Sequence, residues 1–186
     1  IPLKSQSAFL EGLQDRTITV GKTTYQLPAF SFAIATMNPV ELGQGTFPLS
    51  EAATDRFAIM VNIGYLPPEE EEKLVNFDFK RVRLNSLMTK DRIIQLRSAI
   101  NEHVFLHDRL GRYIQRLVAA TRPRNPDTDW LTYSPSELVE RGVDLGASPR
   151  AIICWGRLAK VWALLERQRT EVYPEDIQSL APYILS

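Results

Sequence analysis

Cysteine is nearly absent from this sequence. Cys154 stands alone among 186 residues, which excludes an internal disulfide framework and fits a reducing compartment. An excess of charge is missing too. Lys+Arg and Asp+Glu both number 22, so the bulk composition offers no argument for nucleic acid or an anionic membrane as partner. Long apolar runs are also lacking. The most apolar stretch, Ala151 to Leu165, is broken by Arg157 and Lys160, which rules it out as a membrane span. No secretory leader is legible, and a cytoplasmic protein is expected. What is present is a core: 44% hydrophobic residues suffice for a folded domain and argue against disorder. The opening Ile1-Pro2-Leu3-Lys4 reads as the interior of a longer protein, so a fragment is expected.

The hydrophobic patterning changes once along the chain. Pro2 suits the first turn of a helix carrying Ala8, Phe9, Leu10 and Leu13. Thr17-Ile18-Thr19-Val20 alternates, Gly21-Lys22 supplies a turn, and Tyr25-Gln26-Leu27 returns, which predicts a β-hairpin. Phe30 to Thr36 and Phe57 to Ile63 are continuous apolar runs, as in strands covered on both faces. After Gly64-Tyr65-Leu66-Pro67-Pro68 no convincing strand follows. Pro68 and the glutamates Glu69 to Glu72 open a helix with an acidic first turn. Thr89 caps a helix with Ile93, Leu96 and Ile100 on one face. Leu110, Tyr113, Ile114 and Leu117 mark another, stopped by Pro123. Ser134-Pro135-Ser136-Glu137 is a capping box ahead of a short helix that Gly142 ends. Ser148-Pro149 starts a longer helix with Ile152, Trp155, Leu158, Ala159, Trp162 and Leu165 inward, and Pro174 starts the last. The expected fold is therefore α/β followed by all-α, dividing near residue 66.

Several motifs invite chemistry and are better read as structure. Gly21-Lys22-Thr23-Thr24 resembles the end of a phosphate loop, but the glycine required five residues earlier is Arg16, and both flanks look like strands. His103 and His107 share a helical spacing, yet no third ligand is evident and Val104 stands where a zinc-protease helix needs glutamate. Cys154 reads as core. Trp155 and Trp162, seven apart, have core spacing. Arg122-Pro123-Arg124 reads as an exposed basic loop.

Three polar residues stand out. Asn38 lies just past the end of an apolar strand, where open α/β sheets bind ligands. Its amide could hold a water against a phosphate; the plainer alternative is an Asn-Pro turn. Arg56 precedes the second apolar run, and its fork of donors suits phosphate; the alternative is a local ion pair with Asp55 or Glu51. Arg150 falls in the first turn of the helix that Ser148 caps. A cation there faces the positive end of the dipole, a mismatch of roughly 0.3–1 kcal/mol. A phosphate at that helix start would answer both the free amides and the guanidinium; an exposed arginine that tolerates the mismatch is the alternative.

The chain resembles the C-terminal portion of a MoxR-type AAA+ ATPase. The resemblance rests on "PLKSQSAFLEGLQDRTITVGKTTYQLP", "FAIATMNPVE", "GTFPLSEAATDRF", "IGYLPPEEE" and "GASPRA", in family order over nearly the whole chain. It implies the C-terminal part of an AAA+ α/β nucleotide-binding core with a β-hairpin insertion over residues 1–66, and a helical lid over 67–186. It implies that Asn38 is sensor 1, Arg56 the arginine finger reaching a neighbouring subunit's nucleotide, and Arg150 sensor 2. It further implies ATP and Mg2+ as cofactors, a ring oligomer (a hexamer), and client proteins that are remodelled or activated, among them von Willebrand factor A-domain proteins.

This sequence departs from the family at Met37, where glutamine is usual, in "LSEAAT" for "LPEAQL", and around Gly43-Gln44-Gly45, where the loop is one residue longer. Walker A and Walker B elements are absent from the chain, so it is not expected to hydrolyse ATP by itself. An AAA+ motor acting on nucleic acid and a non-catalytic helical adaptor are the rival expectations. An exposed strand edge, open to aggregation, is expected of such a fragment.

Overall fold

The computed structural model describes residues 11–12, 14–28, 30–37, 50–123, 137–143 and 146–185. The expected helix from Pro2 lies mostly outside them; of its end, Glu11, Gly12, Gln14 and Asp15 are helical. An antiparallel hairpin follows, formed by β1 (Thr17–Val20) and β2 (Thr23–Gln26), with Val20 opposite Thr23 and Thr17 opposite Gln26. Gly21 closes the two-residue turn at φ 65°, a conformation glycine adopts without steric cost. The Gly-Lys-Thr-Thr stretch is thus a hairpin turn. Glu11 ties hairpin to helix: its carboxylate accepts from the Thr17 and Thr19 hydroxyls at 3.1 and 2.7 Å. The Thr19 hydroxyl is the main reason its pKa lies below the ordinary glutamate value.

Neither of the two apolar runs predicted as buried strands forms a ladder among the described residues, and Phe57 and Ala58 lie in a bend. Phe32 is 81% and Ile63 90% exposed. A strand exists only where a neighbour completes its hydrogen bonds, and no described residue pairs with either run in a sheet. Between them lies the short helix α1 (Glu51–Thr54), whose Ala53 is fully buried.

The rest is helical. Helix α2 (Pro68–Leu74) starts at Pro68 with Glu69, Glu70 and Glu71 in its first turn, and is solvent-exposed throughout. The core is built by α3 (Lys90–His103), α4 (Asp108–Ala120), α6 (Pro149–Leu165) and α7 (Pro174–Ile184), with the short α5 (Glu137–Gly142) before α6. Side-chain caps start three of them: Thr89 Oγ1 accepts from Arg92 N–H at 3.3 Å, His107 Nδ1 from Arg109 N–H at 3.1 Å, and Ser148 Oγ from Arg150 N–H at 3.1 Å. Each satisfies a backbone donor that the first helical turn leaves free. The Ser134–Ser136 capping box lies outside the described residues.

Ile100, Ile114, Val118, Trp155 and Ile177 meet at the centre of the bundle. Ala159 and Ala163 on α6 are fully buried. Trp155 Nε1 donates to the Ile177 carbonyl at 3.0 Å, so its one polar atom is satisfied in the core. Leu165, expected inward, is 58% exposed; Ala163 takes the inward position near that end of α6. The linkers between α3 and α4 and between α6 and α7 meet in a parallel bridge, with Phe105 N–H on Thr170 O at 2.8 Å and Val172 N–H on Phe105 O at 3.0 Å.

Candidate functional site

Arg150 is positioned by a sequence of local contacts. The loop before α6 is clasped to the end of α4: Ala147 N–H donates to Thr121 Oγ1 at 2.9 Å, and Arg122 Nε donates to Ala147 O at 3.0 Å. Gly146 is required here by proximity. A Cβ on it would lie 2.5 Å from Arg122 Cα and 2.7 Å from Arg122 N, which no side chain allows. Ser148 then caps α6, Pro149 takes the first helical position, and the Arg150 side chain leaves from the first turn. Arg122 is accordingly a half-buried clasp rather than the exposed basic loop residue expected from sequence. That function had no signal in the sequence, because a carbonyl 25 residues away is its partner.

The Arg150 guanidinium does not stand free. Its Nη1 lies 2.8 Å from Asp55 Oδ2, across 95 residues of chain. This contact joins the start of α6 to the segment just after α1. The sequence suggested Asp55 as a partner for Arg56; the structure gives Asp55 to Arg150 instead.

Arg56, the next residue, folds back on its own chain. Nη1 donates to the Ala52 carbonyl and Nη2 to Gln14 Oε1 at 2.7 Å, while Nε is buried without a partner. Arg150 thus reaches the segment that carries Arg56 and takes the Asp55 carboxylate, while the contacts of the Arg56 guanidinium are with Ala52 and Gln14. A buried guanidinium N–H lacking an acceptor is an unmet demand for an anion or a carbonyl, and the donor set suits phosphate oxygens. Asn38, the third candidate, lies outside the described residues.

A second tie runs between the same regions. Met60 N–H donates to Tyr183 O at 2.8 Å, using one of the carbonyls that the last turn of α7 leaves free. Cys154 is half-buried on α6. Burial raises its thiol pKa, Arg157 opposes the rise, and the Asp55 charge adds to it, so it is no activated nucleophile.

Among the described residues no group of three or more His, Cys, Asp or Glu could hold a metal ion. His107 serves as the cap of α4 and packs edge-on against Phe105. No helix among the described residues is long and apolar enough to cross a membrane.

A charged cluster that the sequence did not announce holds the α6–α7 turn. Asp176 is fully buried. It accepts from Arg169 Nη2 and from Tyr173 N–H, both at 2.8 Å. The Arg169 guanidinium carbon sits 4.1 Å from the Tyr173 ring centroid.

Comparison with known proteins gives this geometry a context. The model of the ATPase family associated with various cellular activities (AAA) matches residues 1–59, and the AAA lid domain matches residues 136–186. The chain is 33% identical to the chaperone MoxR1 of Mycobacterium tuberculosis, over 99% of this chain and 46% of that protein. It is 36% identical to the uncharacterized protein YeaC of Bacillus subtilis, over 98% of this chain and 52% of that one. A crystal structure of a Cytophaga hutchinsonii protein assigned as an ATPase matches with a TM-score of 0.78 and 37% identity, over 99% of this chain and 54% of the other. The chain thus spans about half the length of the curated relatives it matches. The AAA match at one end, the lid match at the other and the relatives that span the whole of this chain agree: it is the C-terminal portion of a MoxR-family AAA+ protein.

Proposed function

We propose that this chain supplies the sensing and trans-acting parts of a ring-forming ATPase, a hexamer, that couples ATP hydrolysis to chaperone-like remodelling or activation of client proteins. Residues 1–66 form the end of the α/β core and residues 67–186 the lid. The observation that carries the reading is the meeting of Arg150 and Asp55 at 2.8 Å beside Arg56. It joins the start of α6 to the turn that carries Arg56, whose Nε is buried without an acceptor.

ATP with magnesium supplies the transferable phosphoryl group; the phosphate cradle and the magnesium ligands come from outside these residues. Arg150 binds phosphate oxygen at the start of α6 through its guanidinium, where the positive end of the helix dipole favours an anion. Arg56 leaves Ala52 and Gln14 to neutralise charge on the nucleotide of the adjacent protomer. Asn38 orients the attacking water by its amide. Client specificity, von Willebrand factor A-domain partners included, and a cytoplasmic location complete the proposal. The balanced charge of 22 against 22 weighs against a nucleic-acid substrate.

The test uses the full-length protein. Arg56→Ala retains ATP binding and loses turnover by roughly 10³–10⁵-fold, the contribution such a finger makes in phosphoryl transfer. Arg150→Ala weakens nucleotide binding. Unchanged turnover in the first variant removes Arg56 from its role, and unchanged affinity in the second removes Arg150.

A further inference from the structure

We infer that Asp55 is an exchangeable stand-in for phosphate: it holds Arg150 when no nucleotide is bound and releases it when phosphate arrives. The inference rests on the assignment of Arg150 to the nucleotide and adds a residue with a regulatory part to it.

Three features support the exchange. The pair is monodentate, a single Nη1–Oδ2 contact of 2.8 Å, so the rest of the guanidinium fork remains available to a second anion. Both side chains keep access to water, at 48% exposure for Arg150 and 28% for Asp55. Exposed pairs of this kind are weak and readily exchanged. A phosphate chain carries more charge than a carboxylate and can take both arms of the fork where Asp55 takes one, so it wins the competition. The backbone need not move, because Arg150 N–H is already fixed on Ser148 Oγ; only side-chain torsions change.

The location of the carboxylate gives the exchange its consequence. Asp55 is the residue before Arg56, so the pair tethers the arginine-bearing turn to the start of α6. Releasing it frees that turn from the helix while the Met60–Tyr183 hydrogen bond still links the two regions. Occupancy at Arg150 is thereby reported to the segment that carries Arg56 within one chain. The carboxylate also answers the unfavourable placement of a cation at a helix N-terminus in the interval when no anion is bound.

The experiment is a titration of the full-length protein with a fluorescent ATP analogue, read as binding and not as turnover. Wild type, Asp55→Asn, Asp55→Ser, Arg150→Ala and the Asp55→Asn/Arg150→Ala double variant are compared, each checked for its thermal midpoint. Removing the competitor tightens binding by about two- to fivefold, the range an exposed ion pair supplies. Both Asp55 variants show the gain, and it vanishes in the Arg150→Ala background. Equal or weaker binding by both Asp55 variants, with Arg150→Ala still weakened, overturns the exchange and leaves the assignment of Arg150 intact. An Arg150→Ala variant that binds like wild type overturns the assignment itself.

Discussion

At the scale of single residues, two aspartate–arginine pairs differ in how far water reaches them. Asp176 and Asp55 are both aspartates paired with arginine, yet their settings differ. Asp176 is inaccessible to water and receives both Arg169 and the Tyr173 amide, whereas Asp55 meets one nitrogen at a wet surface. Removing one member of a buried pair strands its partner. Asp176→Ala is therefore expected to cost about 3 kcal/mol, the low end of that range, because Arg169 retains some exposure and its Tyr173 contact. Urea unfolding of this variant checks the value, and a loss below about 1 kcal/mol shows the cluster to be ornamental to stability. Neither pairing was legible in the sequence. Arg169 sits in the linker before α7 and Asp176 in the first turn of that helix, where an acidic residue reads as a cap rather than as half of a buried pair, and Asp55 had a nearer candidate in Arg56.

Among the secondary-structure elements, the sequence was most readable where local chemistry decides the outcome. Ser148-Pro149 and Thr89 announced the starts of α6 and α3, and the structure shows their hydroxyls accepting the expected backbone N–H bonds. Gly21-Lys22 announced the hairpin turn. Legibility failed where an element depends on distant chain. The runs from Phe30 and Phe57 have strand composition but pair with no strand among the described residues, so composition alone overstated the sheet. The clasp of Thr121 and Arg122 on Ala147 joins residues 25 and 26 apart, and a linear pattern carries no trace of it. Yet that clasp sets where α6 begins and so where Arg150 points. Gly146→Ala drives a methyl into the Arg122 backbone, and the expected cost is about 1–3 kcal/mol, as for other overpacked sites. In the full-length protein the same variant also loses nucleotide affinity, since the first turn of α6 must shift. Retained affinity with full stability would show that the loop yields without moving the helix.

For the whole molecule, the distribution of apolar surface sets the behaviour of the 186-residue chain. One set of apolar side chains is consolidated in the helical core around Trp155 and Ile177. Another is spread along the two apolar runs, where Phe32, Ile34, Val61 and Ile63 all stand exposed and no strand among the described residues pairs with them. Exposed strand-like edges of this composition recruit other edges. The isolated chain is accordingly expected to self-associate with rising concentration and to bind a hydrophobic dye, while its helices stay folded. Ile34→Lys with Ile63→Lys puts charge on both runs without touching the core cluster. Sedimentation velocity should then show a shift towards monomer and dye binding should fall, with the helical unfolding transition unmoved. If the doubly charged chain instead loses helix content, the two runs support the core in a way their exposure does not reveal. If association persists unchanged, the contact lies on the helical part, and the exposed faces of α2 and of the Val82–Met88 stretch become the surfaces to charge next.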